Sequence, residues 1–120
     1  MTKVLVVEDN PLNMELVVEI LNTCGFTVHG AIDGEEGIKK FEKENYDLIL
    51  VDIELPGIDG VEVTRIIKNK NKEIPVIALT SYAMKGDKER FLAAGFDEYM
   101  SKPLDVTAFL KRLEKYHKIK

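Results

Sequence analysis

The stretch Asp47-Leu-Ile-Leu-Val-Asp52-Ile-Glu-Leu-Pro56-Gly-Ile-Asp-Gly60 decides how the rest of the chain is read. Leu48 to Val51 form an unbroken apolar run that ends on a carboxylate and is closed off by Pro56, Gly57 and Gly60. So short a run, with no polar alternation, reads as a strand buried on both faces, which a parallel sheet provides by placing helices above and below. Asp52 then stands at the carboxyl end of that strand. In open α/β sheets ligands bind outside this edge, where the winding direction reverses. Each other segment is therefore read for what it brings to Asp52.

Working outward, Lys3 to Val7 is a second apolar run and also ends on acid, Glu8-Asp9. Asn10 suits a helix N-cap and Pro11 the first turn after it, where a missing N–H costs nothing. Leu12, Leu16, Val17, Ile20 and Leu21 recur at helical spacing until Gly25. Phe26 to Ala31, interrupted by His29 and Gly30, predicts a weaker edge strand. Asp33 with Glu36 three residues on is a capping-box pattern, followed by a short helix carrying Gly37, Ile38 and Phe41. Beyond Gly60, Val61, Val63, Ile66 and Ile67 predict a third helix, and the polar run Lys68 to Glu73 a loop.

Pro75 to Leu79 is a fourth apolar strand ending on Thr80-Ser81, and Met84 to Ala94 predicts a fourth helix bounded by Gly95. Asp97 to Met100 predicts a fifth strand leading into Ser101-Lys102-Pro103. Asp105 can cap a last helix with Val106, Phe109, Leu110 and Leu113 on one face. Phe26, Phe41, Phe91 and Phe109 are expected in core layers, His29 and His117 at the surface. Five strands alternating with five helices, (βα)5, imply a doubly wound parallel sheet with right-handed crossovers, and the flavodoxin-like order 2-1-3-4-5 is the expected one.

Composition bounds the function. With 120 residues, one domain spanning 1-120 is expected, and a domain near this length buries roughly two-thirds of its unfolded surface. A formal charge of −4 disfavours direct nucleic-acid or anionic-membrane binding, which reward excess Lys and Arg. Cys24 is the one cysteine, so neither an internal disulfide nor a thiolate metal cluster can form, and a reducing cytoplasmic setting fits. No apolar run approaches the ~18 residues of a membrane helix, and no signal peptide opens the chain.

Strand order 2-1-3-4-5 sets strands one and three side by side, so Glu8, Asp9 and Asp52 are expected at one edge. Adjacent strands lie about 4.8 Å apart, close enough for carboxylates at their ends to share one hard cation. Strand four delivers the Thr80 hydroxyl to the same rim and strand five the Lys102 ammonium. An all-oxygen site of a few carboxylates, a backbone carbonyl and waters suits Mg²⁺, and with Lys102 it offsets the three acids before an anion arrives. The expected anion is a phosphoryl group attacked in line by a carboxylate oxygen. Such a site also needs Asp52 open to solvent.

Glu8-Asp9, Asp52 followed by Ile-Glu-Leu-Pro-Gly-Ile-Asp-Gly, Thr80-Ser81-Tyr-Ala-Met84 and Lys102-Pro103, in this order and at these intervals, resemble a response-regulator receiver domain of two-component signalling, either single-domain or of the hybrid-kinase type. The resemblance covers the whole chain. It implies that Asp52 accepts a phosphoryl group from the phosphohistidine of a histidine kinase or phosphotransfer protein. It implies that Asp9 ligates Mg²⁺ directly, Glu8 through a metal-bound water, and Glu54 through its backbone carbonyl. Lys102 would contact the phosphoryl group, and the bond before Pro103 would be cis. Thr80 and Tyr99 would form a switch pair, and the fourth helix, fifth strand and last helix would present the face read by a downstream protein target. Ser81 where the family usually has Ala, bulky Tyr82 and acidic Glu54 depart from the pattern and bear on the lifetime of the phosphoryl group.

Two other function classes compete with a switch that performs only its own phosphorylation and slow dephosphorylation. A Mg²⁺-dependent phosphohydrolase acting through an aspartyl-phosphate commonly needs a second acid two residues after its nucleophile, and Glu54 is there, but every loop is short and no cap is visible. A nucleotide- or flavin-binding module would need a Gly-rich phosphate loop after strand one, where this chain has two acids. No output segment follows Lys120, so the signal is expected to pass through surface contacts, by a monomer or a phosphorylation-dependent dimer, unless the sequence is a piece of a larger protein.

Overall fold

The computed structural model describes residues 2–80, 89, 92–101 and 106–116. Its centre is a parallel sheet of five strands, each ending at the same rim: β1 (Lys3–Val7), β2 (Thr27–Ala31), β3 (Leu48–Asp52), β4 (Val76–Thr80) and β5 (Glu98–Ser101). Their order is β2-β1-β3-β4-β5. Among the described residues the helices are α1 (Pro11–Thr23), α2 (Gly34–Lys43), α3 (Gly60–Lys70) and α4 (Val106–Leu113), with a 3₁₀ turn at Glu114–Tyr116. None of them is long and apolar enough to cross a membrane.

Strand side chains alternate between two apolar layers. Leu5, Val7, Ile49, Val51, Val76 and Ala78 pack with Val63 and Ile67 of α3. One residue out of phase, Val4, Val6, Leu48, Leu50, Ile77 and Leu79 pack with Val17 and Leu21 of α1 and Phe109 and Leu113 of α4. All five residues of β3 are buried, as are all five of β4. Burying one Leu or Ile side chain is worth roughly 1.5–3 kcal/mol, which outweighs Leu's helix preference of a few tenths and fixes Leu48 and Leu50 in a strand.

The helix ends follow the expected chemistry. Asn10 Oδ1 accepts from the backbone N–H groups of Leu12 and Asn13, at 2.9 and 3.1 Å. At the other end of α1, the N–H of Phe26 donates to Leu21 O and that of Gly25 to Asn22 O, while Gly25 takes φ 90°. This pair of bonds with a left-handed glycine closes the helix and points Phe26 back onto Leu21 in the core. Asp33 caps Glu36, and Glu36 reaches back to the N–H of Ile32, one residue earlier than a strict capping box.

Several expectations are corrected. Leu12, at 77% exposed, and Leu16 do not join the core, because α1 turns the stripe through Met14, Val17 and Leu21 to the sheet. The third helix runs on to Lys70 where a loop from Lys68 was predicted. There Lys68 Nζ donates to Ile74 O and to Asp97 Oδ2, and Asp97 Oδ2 also accepts from Val76 N–H, tying the start of β4 to the approach to β5. His29 is part-buried, its Nδ1 2.8 Å from the Tyr46 hydroxyl. Tyr46 and Phe96 are core residues that the sequence reading passed over. The predicted helix over 84–94 and the residues Phe91 and His117 lie largely outside the described residues; within that span Glu89, Leu92 and Ala93 are helical.

Candidate functional site

Register explains why acids distant in sequence meet. Val7 of β1 is opposite Val51 of β3, so the next residues, Glu8 and Asp52, stand side by side at the carboxyl edge of the sheet, with Asp9 following. Asp52 pairs with Leu79 of β4, and Thr80 pairs with Ser101 of β5. One carboxylate oxygen from each of Glu8, Asp9 and Asp52 lies within 4.8 Å of the others. Glu8 is held at the edge by its N–H to Ala31 O at 2.9 Å, and its Oε2 accepts from Asn10 N–H at 3.2 Å. The residue that caps α1 therefore also orients an acid of the cluster.

Asp52 is much less open than expected, at 2% exposure, and Glu8 shows 1%. The backbone N–H of Glu54 donates to Asp52 Oδ1 at 2.9 Å. The cluster meets solvent through Asp9, the exposed member. Thr80 is fully buried, and its hydroxyl donates to Glu54 Oε2 at 3.0 Å. Glu54 thus touches Asp52 with its backbone and Thr80 with its side chain. The sequence reading gave Glu54 a backbone role and missed the side-chain contact, whose only signal was an acid two residues beyond Asp52.

Gly60 was read only as a turn residue. A Cβ on it would lie 2.3 Å from Asp52 O and 2.8 Å from Ile53 Cα, so the first residue of α3 has to be glycine for the helix to start this close behind Asp52. Tyr99 is half-buried and packs on the layer beneath α2 and α3. It pairs with Ala78, two positions before Thr80's own partner Ser101 along β5. Strand alternation sets Thr80 and Tyr99 on the same face of the sheet. Lys102, Pro103, Ser81, Tyr82 and Met84 lie outside the described residues.

The donor set fits a small hard cation. It is all carboxylate oxygen, with no His or Cys in the cluster, the preference of Mg²⁺ rather than zinc. Two oxygens bound directly to one Mg²⁺ are at most about 4.2 Å apart. The observed limit of 4.8 Å is closed by a small adjustment or by one acid acting through water.

Fold and site together define a two-component signalling module. The family model of the response regulator receiver domain matches residues 4–114, and the chain belongs to that family. Among its relatives, the polar-differentiation response regulator DivK of Brucella ovis is 41% identical over 119 residues, covering 97% of either chain. Response regulator TrrA of Thermotoga maritima, solved with Mg²⁺ and BeF, superposes with a TM-score of 0.88 at 38% identity, over 98% of this chain and 100% of that one. The receiver domain of a Pseudomonas aeruginosa sensor histidine kinase, with magnesium coordinated in its active-site cleft, gives 0.87 at 35% identity over 96% of both.

Proposed function

We propose that residues 1–120 form one receiver domain in which Asp52 accepts a phosphoryl group from the phosphohistidine of a histidine kinase or phosphotransfer protein. The observation that carries this is the convergence of the Glu8, Asp9 and Asp52 carboxylates within 4.8 Å at the switch point of the sheet. Asp9 and Asp52 would hold Mg²⁺ directly, with the Glu54 carbonyl, and Glu8 through water. Held there, Mg²⁺ would supply positive charge to offset the acids and the oxygens of an incoming phosphoryl group.

The Glu54 N–H fixes the rotation of the Asp52 carboxylate. An Asp52 oxygen attacks phosphorus, the P–N bond to the donor imidazole breaks, and the imidazole nitrogen keeps the electron pair and takes up a proton. Lys102 would pair with the transferred group. Water later attacks the same phosphorus, returning the carboxylate and inorganic phosphate. Between these events the Thr80 hydroxyl moves toward the phosphorylated site and Tyr99 follows inward, which alters the face of the fourth predicted helix, β5 and α4 for a downstream protein target. Coupling of this kind is worth roughly 1–3 kcal/mol. The protein works as a cytoplasmic switch rather than a turnover enzyme.

Incubation with Mg²⁺ and acetyl phosphate, followed by intact-mass measurement, tests the assignment. Wild type gains one phosphoryl group, Asp52→Asn gains none, and chelation of the metal stops formation of the label. Equal labelling of both proteins removes Asp52 from its role. Sustained turnover of small phosphate esters would favour the phosphohydrolase reading instead.

A further inference from the structure

Glu54 makes two bonds that tie the candidate acceptor to the candidate switch: its N–H holds Asp52 Oδ1 at 2.9 Å, and its Oε2 receives the Thr80 hydroxyl at 3.0 Å. We propose that the Glu54 carboxylate competes with the phosphoryl group for the Thr80 hydroxyl, a latch that keeps Thr80 in its resting position until Asp52 is modified. This rests on the reading of Asp52 as acceptor and adds a regulator to it.

The argument is one of donors and acceptors. A threonine hydroxyl carries a single hydrogen, so Thr80 donates to one anionic acceptor at a time. In the resting chain that acceptor is Glu54. A phosphoryl group on Asp52 offers rival oxygens of greater charge at the same rim, and Thr80 reaches them only by leaving Glu54. The hydrogen bond to a carboxylate is of the charge-assisted, stronger kind. The contact is also built in. Thr80 is fully buried at the end of β4, and the Glu54 backbone is fastened to Asp52, so neither partner drifts. Glu54 is a positioning residue: it acts on phosphorylation through Thr80, and it sets how far the equilibrium must be pulled before the switch moves.

Two measurements separate a latch from a bystander acid. In metal-free protein, side-chain NMR couplings of Thr80 report its rotamer. Wild type shows one rotamer, Glu54→Ala shows averaging, and Glu54→Gln, which keeps an acceptor oxygen, stays close to wild type. An unchanged Thr80 rotamer in Glu54→Ala overturns the proposal. The second measurement is affinity for beryllium fluoride, a phosphoryl mimic, in the presence of Mg²⁺. Glu54→Ala binds on the order of 3- to 30-fold more tightly than wild type, the scale of one hydrogen bond released together with one repulsive charge.

The same substitution in a Thr80→Val background isolates the cause. If Glu54 acts through Thr80, most of the gain disappears there. An equal gain in both backgrounds means simple charge repulsion and refutes the latch. The parent reading fails differently: wild type would not bind the mimic, or Asp52→Asn would bind it as well as wild type.

Discussion

Replacing Gly60 by alanine tests whether α3 is packed against the backbone of the candidate acceptor. Gly60 opens α3, so helix propensity alone predicts that Gly60→Ala is neutral or stabilises by up to about 1 kcal/mol. The structure predicts the opposite sign. The new methyl carbon would lie 2.3 Å from Asp52 O, 2.8 Å from Ile53 Cα and 3.0 Å from Asp52 C. Ordinary carbon–oxygen approaches are about 3.3–3.6 Å, so the β3 end and the α3 start must part by about 1 Å. All the clashing atoms are main chain and no side chain can swing away. Overpacking of this kind costs typically 1–3 kcal/mol.

Urea unfolding followed by circular dichroism gives the stability, and the acetyl phosphate assay gives the labelling rate of the same protein. Gly57 is the control, with nothing within 4 Å of its would-be Cβ but φ at +72°. Gly57→Ala loses about 1–2 kcal/mol from left-handed strain. Gly57→Asn recovers part of it, because Asn tolerates that conformation, whereas Gly60→Asn is worse than Gly60→Ala. A Gly60→Ala protein within about 0.5 kcal/mol of wild type, with unaltered labelling, would refute the close-packing argument, since surface changes fall in that range.

Other expectations follow from contacts already described. Asp97→Ala removes the acceptor shared by Val76 N–H and Lys68; a loss of about 1–3 kcal/mol is expected in urea unfolding, and Asp97→Asn, which keeps an oxygen for Val76, should lose less. The phenol of Tyr116 is pushed well above the usual tyrosine range, chiefly by burial and then by its hydrogen bond to Glu98. Above about pH 10 the unfolded chain releases this proton while the folded chain retains it, so stability falls as pH rises, and Tyr116→Phe should show a shallower alkaline decline. Asp9→Asn should raise the thermal midpoint in metal-free buffer by thinning the acid cluster, and should shrink the midpoint increase that Mg²⁺ gives wild type. Equal Mg²⁺ shifts in both proteins would remove Asp9 from the metal site.

The strands were legible because their signal is a run of apolar residues ending on a functional side chain. Leu48 to Asp52, Lys3 to Val7 and the run into Thr80 all appear within a residue or so of where they were read. Strand order then followed from connection rules, and with it the meeting of Glu8, Asp9 and Asp52. Helix faces were less legible. Leu12 and Leu16 share the period of α1 but sit beside its buried stripe, and periodicity cannot say which of two adjacent stripes meets the sheet. The details within the site were hidden for another reason. The bond from Thr80 to Glu54 joins residues 26 apart in sequence, and no local pattern records a rotamer. The fit of Gly60 behind Asp52 likewise depends on how closely two backbones approach.

The register of β1 has a consequence for how the chain acquires its chemistry. Val4 pairs with Val28 on one side and Leu48 on the other, so this interior strand has no neighbour to bind until the segments beyond α1 and α2 arrive. No hairpin can seed such a sheet, and its assembly carries the slow, loop-closing character of non-local pairings. The acid cluster is complete only once β1 and β3 are paired, so a nascent or partly unfolded chain lacks the assembled site proposed for the cation. Metal uptake during refolding should therefore keep time with the docking of β1 onto β3, making the ion a clock for that step.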